Sequence, residues 1–239
     1  MQTQYDKAEP YLIRVLESTE KANEPESPKI VEALNNLALL YRAQEKYDQA
    51  ETLLLRALAI KEKQLGPSNP NLLGSLNNLA LLYSSAKQFT KTIPLLERMV
   101  TITEEGFGED HPRVSIMLNQ LAEIHRLQNH PEQAIPFMQR AITIIEKAEG
   151  AEHSGLTGPL NNLAVLYMNT NQYDKAAPLF QRTITLTEES MGKSHFRVER
   201  ALRNYAQLLR KMGRTEEALT HESRANDILA KNTPNSPTE

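Results

Sequence analysis

The stretch Leu34-Asn35-Asn36-Leu37-Ala38-Leu39-Leu40-Tyr41 returns unchanged at residues 76–83. It comes back as LNQLAEIH at 118–125, LNNLAVLY at 160–167 and LRNYAQLL at 202–209, each time after 42 residues. A second element keeps the same step: YDKA at 5–8, YDQA at 47–50, FTKT at 89–92, PEQA at 131–134, YDKA at 173–176 and TEEA at 215–218. A third register is a single arginine, at Arg14, Arg56, Arg98, Arg140, Arg182 and Arg224. Three elements in one phase establish an internal repeat, and a fixed period of this length is the mark of a stacked array.

Each period carries two helical patterns. Leu34, Leu37, Ala38 and Tyr41 stand at i, i+3, i+4 and i+7, and Ala50, Leu53, Leu54, Ala57 and Leu58 do the same on the second segment. Gln44-Glu45-Lys46 forms a short polar turn between them. Gly66-Pro67-Ser68-Asn69-Pro70 and Gly108-Glu109-Asp110-His111-Pro112 stop one helix and start the next, glycine ending it and proline opening the following first turn. Ser27-Pro28 follows the same grammar. Gly150 and Gly192 keep the stop, while Ser154 and Phe196 replace the restarting proline.

A single hairpin cannot bury its own apolar faces, so neighbours stack and share a core. The expected fold is all-α, a right-handed α-solenoid of stacked antiparallel helical hairpins. One array over 1–231 is expected, with a half repeat at 4–22 and full repeats at about 28–65, 70–107, 112–149, 154–191 and 196–230. His221, Glu222 and Asn226 replace mostly apolar residues of earlier repeats, as a polar terminal cap would. Residues 232–239 read as a disordered tail.

Composition narrows the function. The 239 residues carry a formal charge of −3, which gives no basic face for nucleic acid. Only nine glycines occur, in keeping with helix, and the absence of cysteine excludes disulfides, thiolate metal sites and a cysteine nucleophile. No secretory signal opens the chain, and no run reaches the roughly 18 apolar residues of a membrane span. A soluble, cytoplasmic protein is expected, with no membrane and no nucleic acid among its partners.

Leu34, Leu37, Ala38, Tyr41, Tyr47, Ala50, Leu54 and Ala57 resemble the consensus of the tetratricopeptide repeat, whose usual length is about 34 residues. The longer 42-residue form, with Leu-Asn-Asn-Leu-Ala in the first helix and Gly-x-x-His-Pro between units, resembles the kinesin light chain repeat over residues 5 to about 230. The resemblance implies a concave groove lined by the first helices, where asparagine side chains grip the main chain of a bound peptide. By position it implies Asn35, Asn77, Asn119, Asn161 and Arg203. No sustained heptad segment accompanies them, so the motor-docking coiled coil of kinesin light chains has no counterpart in these residues.

The residues themselves support a stripe at i, i+4 and i+7: Asn35, Leu39 and Arg42. Mid-helix asparagine is unfavourable on propensity, and a carboxamide both donates and accepts, as an extended peptide's main chain requires. The competing role for one asparagine of each pair, with Asn36, Asn78 and Asn162 as the second members, is to bridge neighbouring repeats. Further along the array Leu39 becomes Leu81, Glu123, Val165 and Gln207, and Arg42 becomes Ser84, Arg126, Met168 and Arg210. Arg200, Arg203, Arg210 and Lys211 make the last unit basic, which suits a ligand with an apolar anchor and an acidic part.

Other polar residues read as structural. His111, His153 and His195 are separated by a whole repeat, about 8–10 Å of helix packing, too far to share a metal ion. They are expected in turns, and His125 stands at a packing position held elsewhere by tyrosine. The six arginines read as surface stems with a local acidic partner. No phosphate loop or catalytic motif occurs. The expectation is a non-catalytic protein- or peptide-binding scaffold without cofactor or metal. The alternatives are self-assembly, as a homodimer through the N-terminal helix, and a regulatory segment of a larger signalling protein.

Overall fold

The computed structural model describes residues 2–232, with backbone alone at residues 2–4 and 6. The expected tail beyond Asn232 lies outside the described residues, and Asn232 itself still belongs to a helix. The described residues form eleven α-helices: α1 Gln2–Ala22, α2 Pro28–Ala43, α3 Tyr47–Leu65, α4 Leu73–Ser85, α5 Phe89–Phe107, α6 Pro112–Leu127, α7 Pro131–Glu149, α8 Thr157–Asn169, α9 Tyr173–Met191, α10 Phe196–Lys211 and α11 Thr215–Asn232. They fall into two compact units, residues 1–109 and 110–239. In the first unit α1 packs on α2, α2 on α3 and α4 on α5; in the second α6 pairs with α7, α8 with α9 and α10 with α11.

The helix starts have one chemical solution in five versions. Ser27, Asn69, His111, His153 and His195 stand 42 residues apart, each with extended backbone just ahead of a first helix or its opening turn. Each side chain accepts from the backbone N–H two residues on: Asn69 Oδ1 from Asn71 at 2.9 Å, and His111, His153 and His195 through Nδ1 at 3.2, 3.3 and 3.2 Å. The three histidines are therefore N-caps, satisfying one of the donors a helix start leaves unpaired.

In α4 and α8 the first turn departs from expectation. A 3-10 turn, Pro70–Leu72 and Ser154–Leu156, replaces the first α-helical turn. These are the two repeats with glycine at the register of Glu32, namely Gly74 and Gly158, and glycine weakens the opening turn it sits in.

The turn inside each hairpin needs a left-handed residue. Glu45, Lys87, Asn129, Asn171 and Gly213 hold it, with φ of 60°, 56°, 62°, 59° and 78°. Around Glu45 the Lys46 N–H donates to Tyr41 O at 2.8 Å and the Glu45 N–H to Arg42 O at 3.0 Å, closing the end of α2.

The core follows the apolar periodicity. Leu34, Leu37, Ala38 and Tyr41 are buried on α2, as are Ala50, Leu54, Ala57 and Leu58 on α3. In the second unit Leu160, Phe180, Leu202, Tyr205 and Leu209 belong to one cluster that also takes in Ala134, Ala164, Ala176, Ala206 and Ala218. The small residues recur on both helices of every hairpin there and let the backbones approach closely.

The arginine register has a partner that is not local. Arg56 bonds Glu20 at 2.5 Å, Arg98 bonds Glu62 at 2.6 Å, Arg182 bonds Glu146 at 2.6 Å and Arg224 bonds Glu188. Each glutamate lies 36 residues upstream, on the second helix of the preceding repeat. Arg98 and Arg182 also donate to Pro67 O and Ala151 O, in the loops that end those helices, at 2.7 and 2.5 Å. The expected local partner is thus corrected. Within each unit the guanidinium thus reaches across a repeat boundary and ties one second helix to the second helix of the preceding repeat.

Candidate protein-binding face

Within each unit a first helix packs against its own second helix and, where one precedes it, against the second helix before it, which leaves a narrow exposed strip. On α2 the strip is Glu32, Asn36, Leu39 and Ala43, at i, i+4, i+7 and i+11. On α4 its exposed members are Gly74, Leu81 and Ser85, with Asn78 half-buried between them. In the second unit the same register reads Ile116, Gln120, Glu123 and Leu127 on α6, Gly158, Asn162, Val165 and Asn169 on α8, and Arg200, Asn204, Gln207 and Lys211 on α10. Leu39 and Leu81 lie on this strip with 40% and 42% of their surface exposed.

The other positions of the anticipated stripe sit on its shoulder. Asn35 is half-buried; its Nδ2 donates to Val31 O at 2.8 Å and its Oδ1 accepts from Asn78 Nδ2 at 3.2 Å. Asn161 is 8% exposed, and its Oδ1 accepts from Asn204 Nδ2 at 2.9 Å. Both members of an asparagine pair thus serve one bridge: the first accepts from the second of the following repeat. Asn77 is half-buried. Asn119 is half-buried as well, and its Oδ1 is buried with no hydrogen-bond partner.

The arginines of the stripe differ in kind. Arg42 is half-buried, and its register runs from the buried Met168 to the exposed Arg126 and Arg210. Arg126 is exposed and forked onto Glu123 of its own helix, at 2.7 and 2.6 Å. Arg210 is forked onto Glu222 of α11, at 2.7 Å for both bonds, and Arg203 bonds Glu199 and, at 3.1 Å, Asn226. The Arg210 guanidinium holds the Glu222 carboxyl below its ordinary value and is itself raised by it. Glu222 and Asn226, the polar cap residues, therefore neutralise much of the basic character read from α10. Arg197 and Arg200 have no carboxylate partner among the described residues; the Arg197 guanidinium lies 6.0 Å from the Phe196 ring centroid.

Tyrosines at the end of the first helices complete the shoulder. Tyr83 donates to Glu51 at 2.7 Å and Lys91 bonds the same carboxylate at 2.8 Å, which lowers the Glu51 pKa. Burial, and then the Glu51 carboxylate, push the Tyr83 phenol up. His125 takes the tyrosine position in α6, buried and stacked on Phe137 with ring centroids 5.5 Å apart.

Among the described residues no three of His, Asp and Glu gather where they could hold a metal ion, and no helix is long and apolar enough to cross a membrane. The face offers carboxamides, a few exposed leucines and scattered charge, a chemistry of contact with a polypeptide surface.

A comparison with curated proteins finds no match. Among solved structures, BtubC (BKLC) from P. vanneervenii is similar with a TM-score of 0.77 and 21% identity, over 98% of this chain and 95% of that one. A putative kinesin light chain from Podosopora anserina with nearly identical TPR-like repeats gives 0.74 and 22%, over 89% and 100%. MamA from Desulfovibrio magneticus RS-1 gives 0.63 and 9%, over 85% and 97%. At these identities the likeness is one of fold. The Tetratricopeptide repeat family profile matches residues 1–63, 66–147 and 157–231. With helical hairpins repeating every 42 residues and that profile covering nearly the whole length, the chain belongs to the tetratricopeptide repeat family, an all-α solenoid class whose members generally serve as non-enzymatic protein-interaction modules.

Proposed function

We propose that this protein is a non-catalytic scaffold that holds an extended segment of another polypeptide along the exposed strip of its first helices, as in kinesin light chain-like arrays. The observation that carries the reading is the exposure of Leu39 and Leu81. Their neighbours Leu37, Leu40, Leu79 and Leu82 are 3%, 8%, 0% and 1% exposed, so the two open leucines are not a by-product of a loose core. They occupy one register on two first helices of the same unit, with Asn36 beside Leu39. An apolar anchor next to free carboxamides suits a peptide that needs one buried side chain and main-chain hydrogen bonds. Asn77 and Asn119 are the first-register asparagines without a cross-repeat bridge between carboxamides; Asn35 and Asn161 are engaged within the protein.

A random peptide library displayed on phage tests the reading. Peptides selected on the intact chain should lose binding to Leu39→Ser/Leu81→Ser and to Asn36→Ala, and keep it with Leu55→Ser, an exposed leucine on α3. Selected peptides that bind the Leu39/Leu81 variant as well as the parent reject the strip as the binding face.

A second reading rests on Tyr11, which is 64% exposed on α1. Helix α1 then contacts a second copy of the chain. Light scattering through a dilution series tests it, and a monomer at every concentration eliminates it.

A further inference from the structure

Helix α1 carries the residues of an inner second helix without the surroundings of one. It keeps the register of α3, with Ala8, Leu12 and Val15 where α3 has Ala50, Leu54 and Ala57. Those residues of α3 are 0%, 3% and 0% exposed, whereas Ala8, Leu12 and Val15 are only half-buried and Tyr11 beside them is 64% exposed. A position at the end of the described array does not by itself open this face. Helix α11, the last described, still buries Ala218 and Ala225 in the registers of Ala8 and Val15, because it packs on α10. Helix α1 uses its other side for α2 and α3, through Glu9, Leu16 and Glu20. Among the described residues, no first helix covers the remaining stripe.

Arg14 specifies what such an occupant carries. Arg56, Arg98, Arg182 and Arg224 each hold a glutamate of the preceding second helix. Arg14 shares their register, is exposed, and among the described residues bonds only the Pro10 carbonyl of its own helix, at 3.4 Å. We infer that the open face of α1 docks a helical hairpin of another polypeptide. One helix of that hairpin lies antiparallel on Ala8, Tyr11, Leu12 and Val15, and the other presents a carboxylate to Arg14.

An apolar stripe at i, i+3, i+4 and i+7 is the pattern of a helix-on-helix contact, and a lone guanidinium at its edge fixes the charge that a partner must match. A second copy of this chain matches it poorly. Its glutamates of this register, Glu20, Glu62, Glu146 and Glu188, hold their own arginines, and Glu104 is engaged as well. On α11 the register holds Ala230, and Glu222 and Asn226 replace the apolar Phe180 and Ile184 of the preceding repeat. The second reading given above places a copy on α1, so the test must separate the two occupants.

The probe is a fluorescein-labelled peptide of this protein's own residues 47–84, which span α3 and nearly all of α4. In the array α4 packs on α5, and Glu62 of α3 bonds Arg98 of α5, so the probe offers α1 the surroundings that α5 already has. Fluorescence anisotropy with the full chain should show saturable binding, abolished by Tyr11→Asp at an exposed position. Arg14→Met should weaken it about fivefold, the loss of one partly shielded ion pair. A Glu62→Gln probe should bind the parent about fivefold more weakly, and should bind Arg14→Met as the unaltered probe does. A helical probe that does not bind overturns the inference, and so does binding indifferent to Tyr11→Asp or Arg14→Met. A dimer in light scattering that Tyr11→Asp dissociates and excess probe does not assigns the face to a second copy, which also overturns it. If the free probe is not helical, the same segment is joined in phase ahead of Met1. Arg14→Met should then lower the urea midpoint of the joined chain and leave that of the parent in place; equal shifts overturn the inference. None of these readouts involves Leu39 or Leu81, so this face and the strip fail separately.

Discussion

The arginine register is best tested at Arg182. Its guanidinium bonds Glu146 at 2.6 Å and Ala151 O at 2.5 Å, and the two charged side chains are 31% and 34% exposed. A hydrogen bond to a charged group contributes about 1.5–3 kcal/mol when shielded, and an exposed pair about 0.2–1 kcal/mol. At one-third exposure the expected coupling between Arg182 and Glu146 is about 1 kcal/mol. Arg182→Met keeps the apolar stem and removes the charge. Because it also strips the donor from the Ala151 carbonyl, it should cost about 0.5–1 kcal/mol more than the coupling alone. The assay is a double-mutant cycle with Glu146→Gln, by urea unfolding followed in far-UV circular dichroism and tyrosine fluorescence, since the chain has eight tyrosines and no tryptophan. Equal m-values across the cycle are required, because repeat arrays can lose all-or-none unfolding. High salt should reduce the coupling without removing it, the pair being partly shielded. A coupling below about 0.3 kcal/mol would refute the clamp. So would phosphate raising the unfolding midpoint of the parent and not of Arg182→Met, which would make the arginine an anion site.

Lys87→Gly relieves a left-handed residue at φ 56° and should stabilise by about 0.5–1 kcal/mol in urea unfolding, whereas Lys87→Val should destabilise. Asn161→Ala and Asn204→Ala each break the cross-repeat carboxamide bond and should cost about 1 kcal/mol with strong non-additivity, while exposed Asn162→Ala should cost almost nothing. His221 has its pKa lowered, by burial first and then by Arg224, so the folded protein favours neutral imidazole. Stability from this residue is therefore full above the unfolded value of about 6.5 and is lost as pH falls toward the depressed folded value; His221→Leu should flatten that part of the stability–pH curve relative to the parent. An unchanged slope would show that His221 is solvated.

How much of this was legible depends on what periodicity encodes. A 42-residue phase fixes which residues are equivalent, and a period near 3.6 within each segment fixes which face is buried, so Leu34, Leu37, Ala38 and Tyr41 could be assigned to the core from letters alone. Partner choice is a different kind of information. Asn35 and Asn36 share the same phase, and a carboxamide is equally able to donate or accept, so nothing in the repeat says that Asn78 would reach back to Asn35. The strip came out rotated by about one residue, to Asn36, Leu39 and Ala43, because the width left open depends on how closely successive first helices pack. The clamp was legible and missed: Glu20, Glu62, Glu146 and Glu188 keep the same 42-residue phase as the arginines, and opposite charges in one phase signal a contact between repeats. The caps lay between these cases, because Ser27 and Asn69 announce one and histidine does so only through the register it shares with them.

The division of labour among polar residues bears on where specificity can reside. Many of the side chains that repeat faithfully are engaged inside the array: Arg56, Arg98, Arg182 and Arg224 on the preceding repeat's glutamate, Asn35 and Asn161 on the following repeat's asparagine, and the cap residue on the helix it starts. A residue held in a bond between repeats cannot be spent on a ligand without loosening the stack. What is free to differ is the strip, and it does differ, from Leu39 and Leu81 in the first unit to Glu123, Val165 and Gln207 at the same register in the second. Recognition in this protein should therefore follow the positions where the repeats disagree, and substitutions at those positions should change partner choice while leaving unfolding unaffected. A variant with α4's strip residues placed on α8 carries two changes, Val165→Leu and Asn169→Ser, since Gly158 and Asn162 already match Gly74 and Asn78. It should unfold as the parent does within about 0.5 kcal/mol and select different peptides; identical peptide selection would place recognition on the conserved registers instead.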